Sequence, residues 1–286
     1  MELRQLRYFV AVVEEGTVTG AARRLRLSQP PLTMQLHSLE EELGCALFER
    51  EGRRLRLTEA GRAFYQRAKT ILGLCGAAAA EMADHSAGRM GTLRLGAISS
   101  VHGAMLLRWL EAYARRYPEV RLDLHNADTY QQLELIRTGQ IDVALVRTPF
   151  SAPELAQLQL AAERMLAVAL PGQLPPAVPL EALAKRRLLI YRRWEQVLRM
   201  QFEAAGLEMR VHCRSDDAQT TLALAACGLG TGIVPASALP DPAAQGLEAR
   251  VIDAPQLSTE IVAVCRDPRT LPQAARRFWA LLEEQR

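Results

Sequence analysis

Four short clusters carry the side chains best suited to hold a small charged molecule. Ser99-Ser100, Asp128-Thr129, Arg147-Thr148 and Tyr191-Arg192-Arg193 lie at the ends of the apolar runs TLRLGAI, VRLDLH, IDVALV and LLIY. Strand ends that face helix N-termini offer unpaired N–H groups and the positive end of a dipole, a setting that favours anions. Arginine adds a planar fork of donors that matches a carboxylate. The chemistry indicated is reversible binding of a small organic anion. Its candidate residues are Ser99, Ser100, Thr129, Arg147, Thr148, Tyr191, Arg192 and Arg193. Each hydroxyl is equally explained as a helix cap, and each arginine as surface charge.

Bond-making chemistry finds less support. GLGTG at 228–232 follows a helical pattern and precedes a strand, the reverse of the order a phosphate-binding glycine loop needs. Asp216-Asp217 reads more simply as favouring the N-terminus of the next helix than as a catalytic pair. His102, His125 and His212 show no metal-ligand spacing, and no CxxC occurs among the five cysteines. The expectation is a protein without catalytic residues, metal or cofactor.

A second group of residues points to nucleic acid. Arg50, Arg53, Arg54 and Arg56 crowd one predicted hairpin turn, against Glu49 and Glu51. Just upstream, SQPPLTMQL opens a predicted helix with two prolines. They fall in the first turn, where backbone N–H groups have no intrahelical partner, so they disturb little and fix the geometry. Leu32, Leu36, Leu39 and Leu43 form the inward stripe of that helix. At 100° per residue Pro30, Met34, His37 and Glu41 point outward, with Gln29 and Thr33 at the flank and Gln35 leaning back toward the core. A helix that projects its first turn outward suits the major groove, and the hairpin arginines suit phosphates.

These clusters need elements to hold them. The first 58 residues read as three short helices and a two-stranded wing, with Thr17 and Ser28 as caps and Gly44 as a stop. A long helix follows over about 59–87. In it Phe64, Ala68, Ile71, Cys75, Ala78 and Met82 step by four and three, a heptad seam that fits a dimerisation and linker helix; packing onto its own domain is the alternative. From Thr92 strands and helices alternate, which argues for a parallel α/β sheet. A strand over 164–170 leads to a second, similar alternation, and a late strand at 261–265 returns to the first lobe. The expected boundaries are 1–58, 59–90 and 91–286, the last divided into lobe I (91–163 and 265–286) and lobe II (164–264).

The stretch AARRLRLSQPPLTMQLHSLEEELGCALFEREGRRLRLTEAG resembles the signature of LysR-type transcriptional regulators. The resemblance implies a multidomain chain: an all-α-rich winged helix-turn-helix, a long linker helix, then a two-lobed α/β domain like a type 2 periplasmic binding protein. It implies a homodimer or homotetramer on double-stranded promoter DNA, in a setting where RNA polymerase is a further partner, controlled by a small-molecule effector. The helix-turn-helix would run from Val18 to His37, with Ser28, Gln29, Pro30, Pro31, Thr33, Met34 and His37 at the DNA and Arg50, Arg53 and Arg54 on the wing. The family places effector contacts at positions matching Ser99, Ser100 and Thr129. Some members sense peroxide through cysteines in the second lobe, a role open to Cys213 or Cys227. Departures are mild: Val18 replaces a commoner aromatic, Gly20 weakens its helix by up to about 1 kcal/mol relative to alanine, and Met34 stands where relatives often carry a basic residue.

The remaining bulk properties are permissive. The 286 residues carry a formal net charge of +3, and 49% are apolar. MELRQLRYF has charge from its second residue and no apolar export core, and no run is long enough to span a membrane. A cytoplasmic protein is the expectation. The rival reading is an enzyme or solute-binding protein on the α/β lobes, with the N-terminal helices serving oligomerisation alone.

Overall fold

The computed structural model describes residues 1–51, 54–86, 91–101, 104–239 and 241–285. Arg53 lies outside the described residues, as do the side chains of Arg50 and Arg54. The chain divides into two compact units, Met1–Ala87 with Arg137–Gln140, and Gly88–Ile136 with Ile141–Arg286.

The first unit holds α1 (Leu3–Glu15), α2 (Val18–Leu25), α3 (Gln29–Leu43), β1 (Phe48–Glu51), β2 (Arg54–Leu57) and α4 (Glu59–Ser86). Gly16 ends α1 in the left-handed region at φ 68°, and the Thr17 hydroxyl caps α2 by accepting from the Gly20 N–H. Leu6, Phe9 and Val12 meet Ala21, Ala22, Leu32, Leu36 and Leu39 in one core. The Phe9 ring lies 5.1 Å from Phe64 and 5.3 Å from Phe48, joining α1 to α4 and to the wing. Strands β1 and β2 pair antiparallel. The base of the wing is fixed by the Glu40 carboxylate, which accepts from the N–H groups of Leu47 (2.7 Å) and Phe48 (3.2 Å).

This core corrects the seam on α4. Ala68 is fully buried and Phe64 and Ile71 pack onto the same cluster, so the first half of the heptad stripe faces the chain's own helices. In its second half Cys75 is half-buried and Ala78 and Met82 are exposed, as is the neighbouring Leu74, so among the described residues it is this half that remains open to a partner.

The second unit is built on β3 (Thr92–Ala97), α5 (Ala104–Arg116), β4 (Arg121–Asn126), α6 (Thr129–Arg137), β5 (Val143–Arg147), β6 (Ala156–Ala169), α7 (Leu180–Ala184), β7 (Leu188–Tyr191), α8 (Glu195–Ala204), β8 (Val211–Ser215), α9 (Ala218–Ala226), β9 (Thr231–Pro235), β10 (Glu248–Val251), β11 (Ser258–Cys265) and α10 (Gln273–Glu284). Among the described residues the strands order as β4-β3-β5-β11-β6-β9-β7-β8, with β10 also on β6. β3 lies parallel to β4 and β5, and β7 parallel to β8 and β9, as βαβ alternation requires. Two separate cores result, one around Leu93, Trp109, Val143 and Phe278, the other around Leu189, Trp194, Phe202 and Ile233.

β6 is common to both lobes. Its first half pairs with β11 and its second with β9 and β10. The strand therefore begins at Ala156 rather than 164. The return crossing also comes earlier than 265: Leu257 belongs to the lobe II core, whereas Ile261 to Cys265 lie in that of lobe I. Among the described residues no helix is long and apolar enough to cross a membrane.

Candidate functional site

The tip of α3 is shaped by what its prolines lack. Ser28 occupies the N-cap position, in extended backbone, yet its hydroxyl makes no capping bond. A cap accepts from the N–H of the second or third helical residue. Here those residues are Pro30 and Pro31, which have none. The expected Ser28 cap is thus right in place and absent in chemistry, and the exposed hydroxyl is left to the solvent. Gln29, Pro30, Pro31, Met34 and His37 are exposed, Met34 to 71%, while Leu32, Leu36 and Leu39 are buried. Thr33 is half-buried and donates to the Gln29 carbonyl at 3.1 Å.

Arginines near this tip add positive charge that sequence reasoning passed over. Arg24 is neutralised by Glu14 at 2.6 Å. Arg23 and Arg26 are exposed and make no ion pair among the described residues. Arg26, at φ 55°, makes the turn that ends α2.

The second site lies where β3, β4, β7 and β8 end. Two adjoining cavities occupy the space. One, of about 190 Å³, is walled by Ile98, Ser99, Asn126, Ala127, Asp128, Tyr191, Asp216 and Asp217. The other, of about 510 Å³, is walled by Asp128, Tyr130, Pro149, Tyr191, Arg192, Arg193, Gln196, Val197 and Asp216. Of the expected residues, Ser99, Tyr191, Arg192 and Arg193 line this space. Tyr191 is hydrogen-bonded to Ser99, and burial raises its phenol above the ordinary value, so the hydroxyl stays protonated. Arg192 lies against Asp216 at 2.7 Å. Arg193 donates to the backbone carbonyls of Arg147 and Pro149 and lies over the Trp194 ring, but its Nε is buried without a partner. Burial lowers the pKa of Arg193.

Ser100, Thr129, Arg147 and Thr148 are absent from the cavity walls. Arg147 is fully buried, with Nη1 2.9 Å from Glu163 Oε2, Nη2 2.7 Å from Ser237 Oγ and Nε 3.3 Å from Ser100 Oγ. Burial pulls its pKa down, and the Glu163 carboxylate opposes that shift. An arginine so engaged has no fork to give a ligand, which corrects the expectation that it reads a carboxylate. Ser237 also donates to the Ser100 carbonyl at 3.2 Å and, from its N–H, to Glu163 at 3.2 Å. The cluster ties lobe II to β6 and lobe I. Thr148 Oγ1 accepts from the Glu260 N–H at 2.9 Å, a strand-pairing role. Thr129 is buried at the start of α6 with its hydroxyl unpartnered.

The acidic wall was the part missed. Asp128 and Asp217 do cap α6 and α9, accepting from Gln131 (2.9 Å) and Thr220 (2.8 Å). Burial raises Asp217, and bonds from the Thr220 side chain and backbone carry it below the usual carboxylate value. Both nonetheless face the cavities, and a capping motif gives no sign of that. Cys213 and Cys227 are free thiols, half-buried and exposed. Among the described residues no three His, Cys, Asp or Glu side chains cluster to hold a metal.

Residues 3–62 match the family described as bacterial regulatory helix-turn-helix protein, lysR family, and residues 86–286 match the LysR substrate binding domain. The chain is similar to the HTH-type transcriptional regulator TfdS of Cupriavidus pinatubonensis, at 35% identity over 83% of each chain. It is similar to BenM of Acinetobacter baylyi, at 35% identity over 83% of this chain and 81% of the relative. Among solved structures, CbnR, a LysR family transcriptional regulator, aligns over 100% of this chain and 99% of its own with a TM-score of 0.73 and 28% identity. CbnR in complex with its target DNA aligns over the full length of both chains, with a TM-score of 0.72.

Proposed function

The chain belongs to the LysR family of bacterial transcriptional regulators, and from that premise we propose how its two units share the work. The protein is a DNA-binding regulator with a substrate-binding domain, and not an enzyme. In our reading α3 enters the major groove tip first, with Ser28, Gln29, Thr33, Met34 and His37 at base edges. Arg23, Arg26 and the wing arginines Arg50, Arg53 and Arg54 supply the phosphate contacts. Two copies associate through Leu74, Ala78 and Met82 of α4, as a homodimer or within a homotetramer at a promoter that RNA polymerase also uses. The effector is a small organic carboxylate held in the cleft by Arg193, with Ser99, Tyr191 and Arg192 around it. It acts by binding one arrangement of the lobes better than another.

The observation that carries the DNA reading is Met34, 71% exposed in the middle of a helix whose leucines are buried. Met34→Glu tests it. The site bears no packing load, so circular dichroism and melting should be unchanged, while a carboxylate among base edges and phosphates should weaken binding to promoter DNA at least tenfold in gel shifts. Undiminished binding would remove α3 from the interface. The place of Arg193 in the wall of the larger cavity supports the anion reading, and Arg193→Gln should abolish stabilisation of the full chain by carboxylates in thermal-shift measurements.

A further inference from the structure

The cleft is divided by charge. The walls of the smaller cavity include three carboxylates, Asp128, Asp216 and Asp217, and no basic side chain. The larger adds two guanidiniums, Arg192 and Arg193, beside Pro149 and Val197. Asp128, Tyr191 and Asp216 wall both, so one molecule can touch each end. The acidic end keeps acceptors in reserve. Asp128 uses Oδ1 on Gln131, and Asp216 uses Oδ1 on Arg192. Their Oδ2 atoms make no hydrogen bond among the described residues. Tyr191, 6% exposed and protonated, stands between the two ends.

We propose that the effector is zwitterionic, an amino carboxylic acid whose carboxylate meets Arg193 and whose ammonium meets Asp128 and Asp216. This rests on the reading of the cleft as the effector site. A simple carboxylate satisfies the arginine end and leaves the acidic end unanswered. A dicarboxylate sets its second charge against Asp128, Asp216 and Asp217, and that repulsion selects against it. An ammonium supplies three donors to the acceptors in reserve.

The test uses the full-length chain and three matched series: ω-amino acids from glycine to 6-aminohexanoate, monocarboxylates from acetate to hexanoate, and dicarboxylates from malonate to pimelate. Affinities come from isothermal titration calorimetry. At least one amino acid should bind tenfold or more tightly than its matched mono- and dicarboxylate. Asp128→Asn keeps the cap acceptor on Gln131 and removes the charge; it should collapse that preference by weakening the amino acids, with monocarboxylates binding at least as tightly as before because one negative charge beside Arg193 is gone. Asp216→Asn checks the same point away from the cap. Monocarboxylates or dicarboxylates that bind as tightly as the amino acids, or a preference that survives both variants, overturn the zwitterion and leave the carboxylate site standing. Silence across all three series removes the anion site itself.

Discussion

Arg147→Met separates a structural arginine from a ligand-reading one. The substitution leaves the Glu163 carboxylate, 8% exposed, with the Ser237 N–H as its remaining bond. Breaking a buried ion pair from one side typically costs about 3–5 kcal/mol, because the abandoned charge stays desolvated. The Ser237 to Ser100 carbonyl bond survives, while the buried Ser100 hydroxyl loses its contact with Arg147 Nε, a loss in the same direction. With a denaturant slope of about 2–3 kcal/mol per molar for a unit of this size, the urea midpoint should fall by about 1–2 M. Tryptophan fluorescence is the readout, since Trp109, Trp194 and Trp279 are all buried in the second unit and report on it alone. The double variant Arg147→Met, Glu163→Leu should recover at least half of the loss, because an apolar replacement of both partners is often close to neutral. A midpoint shift below about 0.5 M, or a double variant no better than the single, would refute the buried-pair reasoning and return Arg147 to the ligand.

Three further outcomes follow from the geometry. Gly61→Ala would place a Cβ 2.0 Å from the Leu47 carbonyl oxygen, which is pinned at the base of the wing; the strain should remove about 1–3 kcal/mol from the first unit and weaken DNA binding in gel shifts. Alkylation of the native protein followed by peptide mapping should mark Cys45 and Cys227 first and spare Cys265, whose thiol is buried and pushed up to about 12. Tyr113 and Tyr191 are raised by burial, so their contribution is fully present below the ordinary value near 10 and is lost as pH climbs from there toward the folded values; thermal melts should fall over that range, and Tyr113→Phe should flatten the decline.

Local features were legible in the sequence because their causes are local. The leucine stripe of α3, the Thr17 cap and the Gly44 stop depend on neighbours within one or two turns, and the strand-helix alternation of each lobe gave its parallel pairing. The α4 seam shows the limit. A three-four spacing says that a helix has an apolar face, not whether that face meets its own domain or another chain, and Phe9 decides the matter for Phe64 from 55 residues away. Arg147 fails for the same reason: Glu163 and Ser237 reach it through strand pairing and the crossing of β6, neither of which leaves a mark in spacing. β10 is four residues paired to the end of a strand nearly 80 positions earlier, and it carries no alternation of its own. The acidic wall of the cleft hid behind two ordinary helix caps.

The paired prolines at the head of α3 bear on how the protein would find its site. A helix N-terminus is normally a place where a phosphate settles, held by several N–H groups at once. Pro30 and Pro31 strip two of those donors away, and the tip bears no charge. In the proposed complex the reading helix therefore adds almost no friction while the protein slides along unrelated DNA. Backbone grip, with its dependence on salt, comes from the arginines. The tip contributes only where the bases beneath it match, so the helix acts on how long the protein stays rather than on how fast it arrives.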